Sequence, residues 1–486
     1  MTRFNILFIK PHSSVHPQAI DVPLGIMYLS AYAKHVLGDT VNIDFIDLRL
    51  ARHPRQALSR KLTAFTPDLI GISLLAFDNH FIPGYAAFLK QWAPNASIVI
   101  GGPHATYNDR ELLEHHREID FAVRREGEQV FVNLMSALIN QTPVSAICGI
   151  SYMDGDGGFV HTEPAPYIDD LDGLPFPDYE ILDLPQYWKN HDEMNGVRAK
   201  KRYTHIISSR ACPYQCTYCH NIFGKRVRRR SPGHFVAEIQ WLYDTYGIRE
   251  FHIVDDIFNI HRRRMHDILN RIIQSPMRIK IAFPNGVRSD LLEKEDILLL
   301  KKAGVYMMTF AIETASDHMQ QQIKKNLDLQ KAFESINHAS NAGMITKGFF
   351  MLGFPGETPA EIEQTIAAAC GSKLDLAHFF TVTPFPGTEL GETARQMYPG
   401  LTDSAEFHYW PRDPFYQQAT GYNLARTQKM AYLRFYGPRI LRTFIKVPRK
   451  LPRLVRWWSF AMDVLFRHRA DKESRPKGPG FGLKKN

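Results

Sequence analysis

Short apolar runs alternate with helical stretches twice over in this chain, and that alternation restricts it to a parallel α/β architecture. In the first series the runs fall at residues 4–9, 41–46, 69–73, 97–100 and 120–123, separated by helical stretches such as 24–35 and 55–65. Repeats of this length predict a doubly wound, Rossmann-like sheet whose ligands bind at the carboxyl ends of the strands. A second series begins near residue 200, with strands expected at 203–208, 251–254, 279–283, 305–312, 345–352 and 376–382. Six consecutive β-α units predict a partial (βα)6 barrel, with the loops after the strands forming its active face. Helix ends are legible here. Ser231-Pro232 is a cap followed by a first-turn proline, Gly247 closes that helix, and Phe235, Ile239 and Leu242 lie on its inner face.

Between the two series, Asp154-Gly-Asp-Gly-Gly158 and Leu174-Pro-Phe-Pro-Asp178 carry too much Gly and Pro for long helices, so a linker of mixed turn and strand character is expected. The last section, from about residue 396, reads as helical and basic. The expected division is therefore an α/β domain over 1–145, a linker over 146–199, the partial barrel over 200–395 and a helical basic region over 396–486. A length of 486 residues accommodates about three such domains.

Three cysteines, Cys212, Cys216 and Cys219, occur at C-x-x-x-C-x-x-C spacing in Arg210-Ala-Cys-Pro-Tyr-Gln-Cys-Thr-Tyr-Cys-His220, directly after the first strand of the second series. A cubic [4Fe–4S] cluster takes four ligands, so three thiolates leave one iron able to hold a reactant. The alternative is zinc completed by His220, but structural zinc sites usually join two separated ligand pairs, and only Cys148 and Cys370 remain elsewhere. Five cysteines do not make a disulfide framework and point to a reducing cytoplasm. Residues 1–10 hold too short an apolar run for a signal peptide, and no run is long enough to span a bilayer.

The cysteine loop, with Tyr218 before its last cysteine, resembles the signature of the radical S-adenosylmethionine (radical SAM) enzymes. Further stretches resemble the subgroup with an N-terminal cobalamin-binding domain, which includes anaerobic magnesium-protoporphyrin ester cyclase and many carbon methylases. They are Val22-Pro-Leu-Gly-Ile26, Pro67-Asp-Leu-Ile-Gly-Ile-Ser73, Gly101-Gly-Pro-His104, Gly127-Glu128, Leu174-Pro-Phe-Pro177, Val254-Asp-Asp256, Met351-Leu-Gly-Phe-Pro-Gly-Glu-Thr358 and Pro384-Phe-Pro-Gly-Thr388. The resemblance spans roughly residues 5 to 390 in the expected order.

It implies three cofactors: a [4Fe–4S] cluster, SAM and cobalamin. One electron from the cluster would cleave SAM to a 5′-deoxyadenosyl radical that abstracts hydrogen from an unactivated carbon. The favoured outcome is methyl transfer, making the chain a C-methyltransferase. The alternative is a radical oxidative cyclase or rearrangement enzyme acting on a tetrapyrrole, lipid or natural-product precursor. For SAM, Tyr218 is expected against the nucleoside, and Asp255 and Asp256, at a strand end, as acceptors for the methionyl ammonium group. Arg288 is offered to the methionyl carboxylate and Glu313 to the ribose or substrate, with a structural salt bridge as the plain reading of each. Gly353 and Gly356 would let backbone approach adenine or ribose, or simply form a tight turn. For cobalamin, Ser73 and Leu75 resemble the Ser-x-Leu where the nucleotide tail enters, and Gly101 and Gly102 would let that tail pass. The Asp-x-His-x-x-Gly motif that supplies a lower axial histidine is absent, so cobalamin should bind without histidine ligation. No acid–base catalyst is assigned.

The cation run Lys225-Arg-Val-Arg-Arg-Arg230 is either a solvated face or a steering surface for anions. The net charge of +9 is concentrated at the end: residues 426–486 hold 17 Lys or Arg and three acids. There, Tyr432–Lys446 and Leu454–Phe466 interleave cations with aromatic residues, as an interfacial helix on an anionic membrane does; a helical cap with a basic face is the plain alternative. The expected partners are a small, hydrophobic substrate, an electron donor such as flavodoxin or ferredoxin, and a membrane surface. No nucleic acid is expected, since no binding module accompanies the charge. The expected location is cytoplasmic, peripheral at the inner face of the membrane. Methylthio transfer to RNA is disfavoured because no cysteine precedes Cys148.

Overall fold

The computed structural model describes residues 3–12, 20–76, 78, 82–189, 198–397 and 423–439. These fall into two compact units, one drawing on 3–189, 200–279 and 384–397, the other on 198–199, 280–383 and 423–439.

In the first unit, parallel strands β1 (Phe4–Lys10), β2 (Val41–Asp47), β3 (Leu69–Ser73), β4 (Ser97–Gly101) and β5 (Phe121–Val123) stand in the order β2-β1-β3-β4-β5. Alternate residues feed two cores. Leu7, Ile9, Ile70, Ile72, Ile98 and Ile100 face one side; Ile6, Phe8, Leu69, Val99 and Val123 face the other. Burial on both faces is why these strands appear in the sequence as unbroken apolar runs. The chain leaves β1 to one side for β2 and returns to β3 on the other. That reversal opens a ligand crevice at the carboxyl ends of β1 and β3.

The sheet does not stop at residue 145. β6 (Ile150–Met153) and β7 (Phe159–His161) add an antiparallel hairpin to the edge of β5. The Gly-rich stretch between them is its turn: Asp154 Oδ1 accepts from the backbone N–H groups of Asp156 (3.0 Å) and Gly158 (2.6 Å).

The second β-α series starts in this same unit with β8 (Tyr203–Ile206). The short pair β9 (Ser209–Arg210) and β10 (Arg228–Arg229) closes the cysteine loop between them, and β11 (Glu250–Ile253) lies parallel to β8. The helix Pro232–Thr245 begins as its sequence predicts: Ser231 accepts from the His234 N–H, and Phe235, Ile239 and Leu242 are buried. The linker packs against it, with Tyr179 edge-on to Trp241 and hydrogen-bonded to Thr204 at 2.9 Å.

In the second unit, β12 (Lys280–Val287), β13 (Val305–Glu313), β14 (Ile345–Leu352) and β15 (Leu376–Thr381) run parallel, neighbour to neighbour in chain order. The helix Leu424–Tyr436 lies along the outer edge of β15. Its side chains complete the strand's hydrogen bonding: Gln428 donates to the Phe379 carbonyl (2.6 Å), Tyr432 accepts from the Phe379 N–H (3.2 Å), and Tyr436 bonds both polar groups of Ala377 (2.8 Å). An open strand edge is thereby satisfied. This corrects the membrane reading of Tyr432 to Tyr436, whose rings face the protein. Residues 440–446 and 454–466 of that reading lie outside the described residues. No described helix is long and apolar enough to cross a membrane.

Candidate active site

The cysteine loop follows β8 and β9 without regular structure of its own, so its shape is imposed by neighbours. Parallel register sets Ile206 beside Ile253, which brings Ser208 level with Asp255. Asp255 accepts from the Ser208 N–H (2.6 Å), the Ser208 hydroxyl (2.5 Å) and the Ser209 hydroxyl (2.6 Å). Burial raises its carboxyl pKa, and these hydrogen bonds oppose the rise. Next in the chain, Asp256 accepts from the Ala211 N–H at 3.1 Å. Ala211 has φ +80°, a left-handed conformation that costs a residue with a Cβ about 1–2 kcal/mol. Asp256 is itself pushed up to about 6, by burial and then by Asp255. Both acids thus hold the start of the cysteine loop. Asp255, expected as an acceptor for the methionyl ammonium group, is buried here against Ser208 and Ser209.

The three cysteines form no disulfide; Cys212 and Cys216 are half-buried and Cys219 is exposed. The Cys219 N–H donates to the Cys216 carbonyl (3.1 Å), tightening the last turn. Burial pushes the Cys212 thiol up, which coordination to a metal would reverse. Tyr218 is half-buried within the same turn. His220 is not free to complete a zinc set through Nε2, which meets the Pro386 carbonyl at 3.0 Å. Its ring stacks on Tyr107 (centroids 5.1 Å, planes 21° apart) and leans on Phe385. Tyr107 accepts from the Asn221 N–H (3.1 Å) and lies directly over Gly387, while the Leu390 N–H donates to the Thr217 carbonyl (2.8 Å). Three soft thiol donors on one externally braced loop suit an iron–sulfur cluster.

A buried ion-pair network ties the loop's base to the N-terminal sheet. Arg210 donates to Glu126 (3.1 Å) and Glu128 (2.5 Å), and Arg228 to Glu126 (2.7 Å). All four side chains are buried. This gives Glu128, in the Gly127-Glu128 motif, its role. It also corrects the steering reading of the cation run. Arg228 and Arg230 are buried, with Arg230 held by Glu238, Lys225 donates to the Tyr214 carbonyl, and Arg226 pairs with Asp169; only Arg229 stands exposed without such a bond.

At the crevice of the N-terminal sheet, Lys10 ends β1 and reaches the buried Asp78 (2.8 Å) and the Ser73 carbonyl (3.4 Å). Asp78 in turn accepts from the Leu75 N–H (2.9 Å). The Ser73-to-Leu75 loop is thereby pinned while the Leu75 side chain stays 41% exposed, an apolar surface at the crevice that fits a bulky organic cofactor. Gly101 ends β4, its carbonyl accepting from the Leu74 N–H (2.8 Å). Gly102, at φ +95°, makes room for the protein itself, because a Cβ there would meet the Leu74 carbonyl oxygen at 2.7 Å.

In the second unit, Arg288 grips Asp290 (2.8 and 3.0 Å) and donates to the carbonyls of Lys325 and Asn326 (both 2.8 Å). These are the contacts of the plain salt-bridge reading. Glu313 ends β13 at φ +67°, buried, 3.4 Å from the Lys325 ammonium. Such strain in a side chain with a Cβ marks a strand end under constraint. Gly353, at φ +92°, makes way for Leu424, whose Cδ1 lies 2.4 Å from where a Cβ would stand, so packing within the protein accounts for it. Gly356, at φ +80°, leaves its Cβ direction open, with Gln322 the nearest group at 3.7 Å. Directly after Gly356 stands Glu357, to which the sequence assigns no role. One of its oxygens accepts from the N–H groups of Gly353 (2.6 Å) and Phe354 (3.1 Å); the other is buried with no hydrogen-bond partner among the described residues. Burial pushes this carboxyl up to about 7. Ser208, Ser209, Tyr107 and Glu126 were also passed over, because their partners lie tens of residues away in sequence.

Comparison with known proteins agrees with this geometry. Residues 17–135 match the B12 binding domain and residues 206–369 match the radical SAM superfamily. An uncharacterized methyltransferase of Pyrococcus horikoshii is 29% identical over 90% of this chain and 93% of its own. The anaerobic magnesium-protoporphyrin IX monomethyl ester cyclase of Rubrivivax gelatinosus is 27% identical over 79% and 69%. Among solved structures, the radical SAM methyltransferase TsrM of Kitasatospora setae shares the fold at a TM-score of 0.66 and 18% identity, covering 82% of this chain and 77% of that one. The chain thus carries a B12-binding domain and a radical SAM domain, with a [4Fe–4S] cluster, SAM and cobalamin as their cofactors.

Proposed function

We propose that this enzyme methylates an unactivated carbon of a small, hydrophobic molecule. The observation that carries the reading is the mounting of Cys212, Cys216 and Cys219 on one loop, braced at its start by Asp256 and at its end by the His220–Tyr107 stack. When bound, the cluster with SAM supplies hydrogen abstraction and cobalamin supplies the methyl group. The chain's own part is to position these groups and exclude water. The three thiols would hold the cluster. For SAM, the candidate contacts are Tyr218 and Asp256 in the first unit and, taken by itself, Glu313, Gly356 and Glu357 in the second. Ser73, Leu75 and Gly101 would border cobalamin at the crevice, whose lower face carries no histidine from an Asp-x-His-x-x-Gly motif.

On this reading residues 1–145 serve cobalamin and residues 200–395 serve the cluster and SAM. A flavodoxin or ferredoxin would supply electrons in the cytoplasm. The basic, Trp-containing stretch after residue 440 would meet an anionic membrane surface at the inner face, a role its composition supports. Truncation after residue 439 tests that contact, because it spares the helix that completes β15; unchanged binding to anionic vesicles would remove the membrane from this proposal.

The deciding experiment incubates anaerobically reconstituted enzyme with methyl-labelled SAM, cobalamin, reductant and cell extract. Methylation requires S-adenosylhomocysteine alongside 5′-deoxyadenosine and label in product. 5′-Deoxyadenosine without S-adenosylhomocysteine would transfer the chain to the cyclase or rearrangement reading. Absence of both, with full iron content, refutes the radical chemistry.

A further inference from the structure

Two histidines that the chemistry above leaves unused stand side by side in the first unit. His205 and His252 are the next-to-last residues of β8 and β11, and the parallel register pairs them. Side chains alternate along a strand. Thr204 faces the helix side, where its hydroxyl meets Tyr179 at 2.9 Å, so His205 and, through the register, His252 project from the opposite face. In a β-α barrel, side chains at the carboxyl ends of the strands supply the groups that bind and transform substrate. The two rings are 5.1 Å apart between centroids and 89° apart in plane, with the Tyr203 ring beside both.

Their hydrogen bonding is incomplete. Both side chains are buried, His205 at 5% exposure and His252 at 1%. His252 Nε2 lies 2.8 Å from Glu250 Oε1, while its Nδ1 has no hydrogen-bond partner among the described residues. His205 Nε2 lies 3.4 Å from Asp21 Oδ1 without a formed hydrogen bond, and its Nδ1 has no partner either. Asp21 is 33% exposed, so solvent reaches the pair at that edge. Buried polar atoms left unmatched are costly, and in native proteins each one has a reason. Burial favours the neutral imidazole: His205 is pushed down to about 4, first by desolvation. A neutral ring carries one N–H. In each ring the neighbouring carboxylate draws that proton to Nε2, which leaves Nδ1 a bare acceptor. Two acceptors with two carboxylates behind them favour an N–H or O–H group and disfavour an anion. These imidazoles and carboxylates do not converge as the ligands of a metal ion do.

We propose that His205 and His252 accept hydrogen bonds through Nδ1 from an N–H or O–H group of the substrate. This rests on the reaction proposed above and adds the chemistry of its substrate: a hydroxyl or an amine near the reacting carbon, rather than a carboxylate or a phosphate.

The test measures binding, without turnover, of benzyl alcohol, benzylamine and benzyl methyl ether to the reconstituted full chain. The ether shares the ring of the other two but donates no hydrogen bond. The parent is expected to favour the alcohol and the amine over the ether by about tenfold, as one matched hydrogen bond predicts. His252→Gln keeps a donor for Glu250 and loses the Nδ1 acceptor, so the preference should vanish; His205→Gln does the same beside Asp21. His205→Asn, which sets an acceptor where Nδ1 stands, should retain it. The ratio of alcohol to ether is decisive, because a variant that merely loosens the fold weakens both alike. Full iron content and parent-like unfolding qualify each variant, and one qualified Gln variant suffices. The proposal is overturned if the parent does not discriminate alcohol from ether, since a buried water then satisfies the rings, or if a qualified Gln variant keeps the full preference. It is likewise overturned if the Gln variants weaken cobalamin, whose corrin carries amide donors, while the probes never discriminate. Discrimination by a parent that forms no methylated product supports the site and refutes methylation; methylated product without discrimination refutes the site alone.

Discussion

Gly387 offers a direct measurement of how firmly the cysteine loop is braced. Its φ of +77° is left-handed, and a Cβ added there would sit 2.1, 2.4 and 2.6 Å from three atoms of the Tyr107 ring. The ring cannot yield freely, because it stacks on His220 and its hydroxyl accepts from Asn221. Gly387→Ala therefore carries two costs: about 1–2 kcal/mol for alanine in this backbone conformation, and about 1–3 kcal/mol for overpacking against the ring. The sum, roughly 2–5 kcal/mol, is a large share of a typical domain's stability. Tyr107→Ala removes the obstacle, so in the double variant the overpacking cost should vanish and the backbone cost remain. The coupling between the two substitutions is then about 1–3 kcal/mol, favourable to the pair. Urea unfolding of the apo chain by tryptophan fluorescence supplies the stabilities, checked with a second probe because a chain of this size can unfold in steps. Iron bound per chain after anaerobic reconstitution reports on the loop. If Gly387→Ala lies within about 0.5 kcal/mol of the parent, or Tyr107→Ala fails to relieve it, the proposed bracing is wrong.

Three further outcomes are expected. Removing Glu126 strands Arg228 and half of Arg210 in the interior, so Glu126→Ala should destabilise the apo chain by about 3–5 kcal/mol, and a change below 1 kcal/mol (roughly the value of a surface pair) would show the network to be solvated. Glu357, raised to about 7 in the fold, stabilises most below the ordinary carboxyl pKa and loses that contribution as pH rises through about 7; parent stability should therefore fall between about pH 4.5 and 7 by up to ~3 kcal/mol relative to Glu357→Gln, and parallel pH profiles would contradict the burial argument. Tyr436→Phe leaves the N–H and carbonyl of Ala377 without their partner, so proton exchange at Ala377 should quicken and stability drop by about 1–3 kcal/mol; an unchanged exchange rate would mean that water replaces the hydroxyl without penalty.

Much of the framework was legible because it depends on neighbouring residues. The strands of the N-terminal sheet stand out through apolar residues buried on both faces, and the helix start at Ser231-Pro232 through the local chemistry of a cap. The hairpin of β6 and β7 was half-legible. Its Gly-rich turn is visible, but pairing with β5 depends on an edge that the sequence does not display. Charged residues were the hardest. Arg288 and Asp255 look available to a ligand, and Lys225 to Arg230 looks like a solvated run, until their partners are known.

By itself, then, the order of residues determined the alternation of strand and helix and the clustering of three thiols on one loop after β8, since periodicity and spacing are local properties. Only the tertiary structure decided which charges are spent inside the protein. An ion pair such as Arg228 with Glu126 joins residues about a hundred positions apart, and nothing short of the folded chain brings them to 2.7 Å.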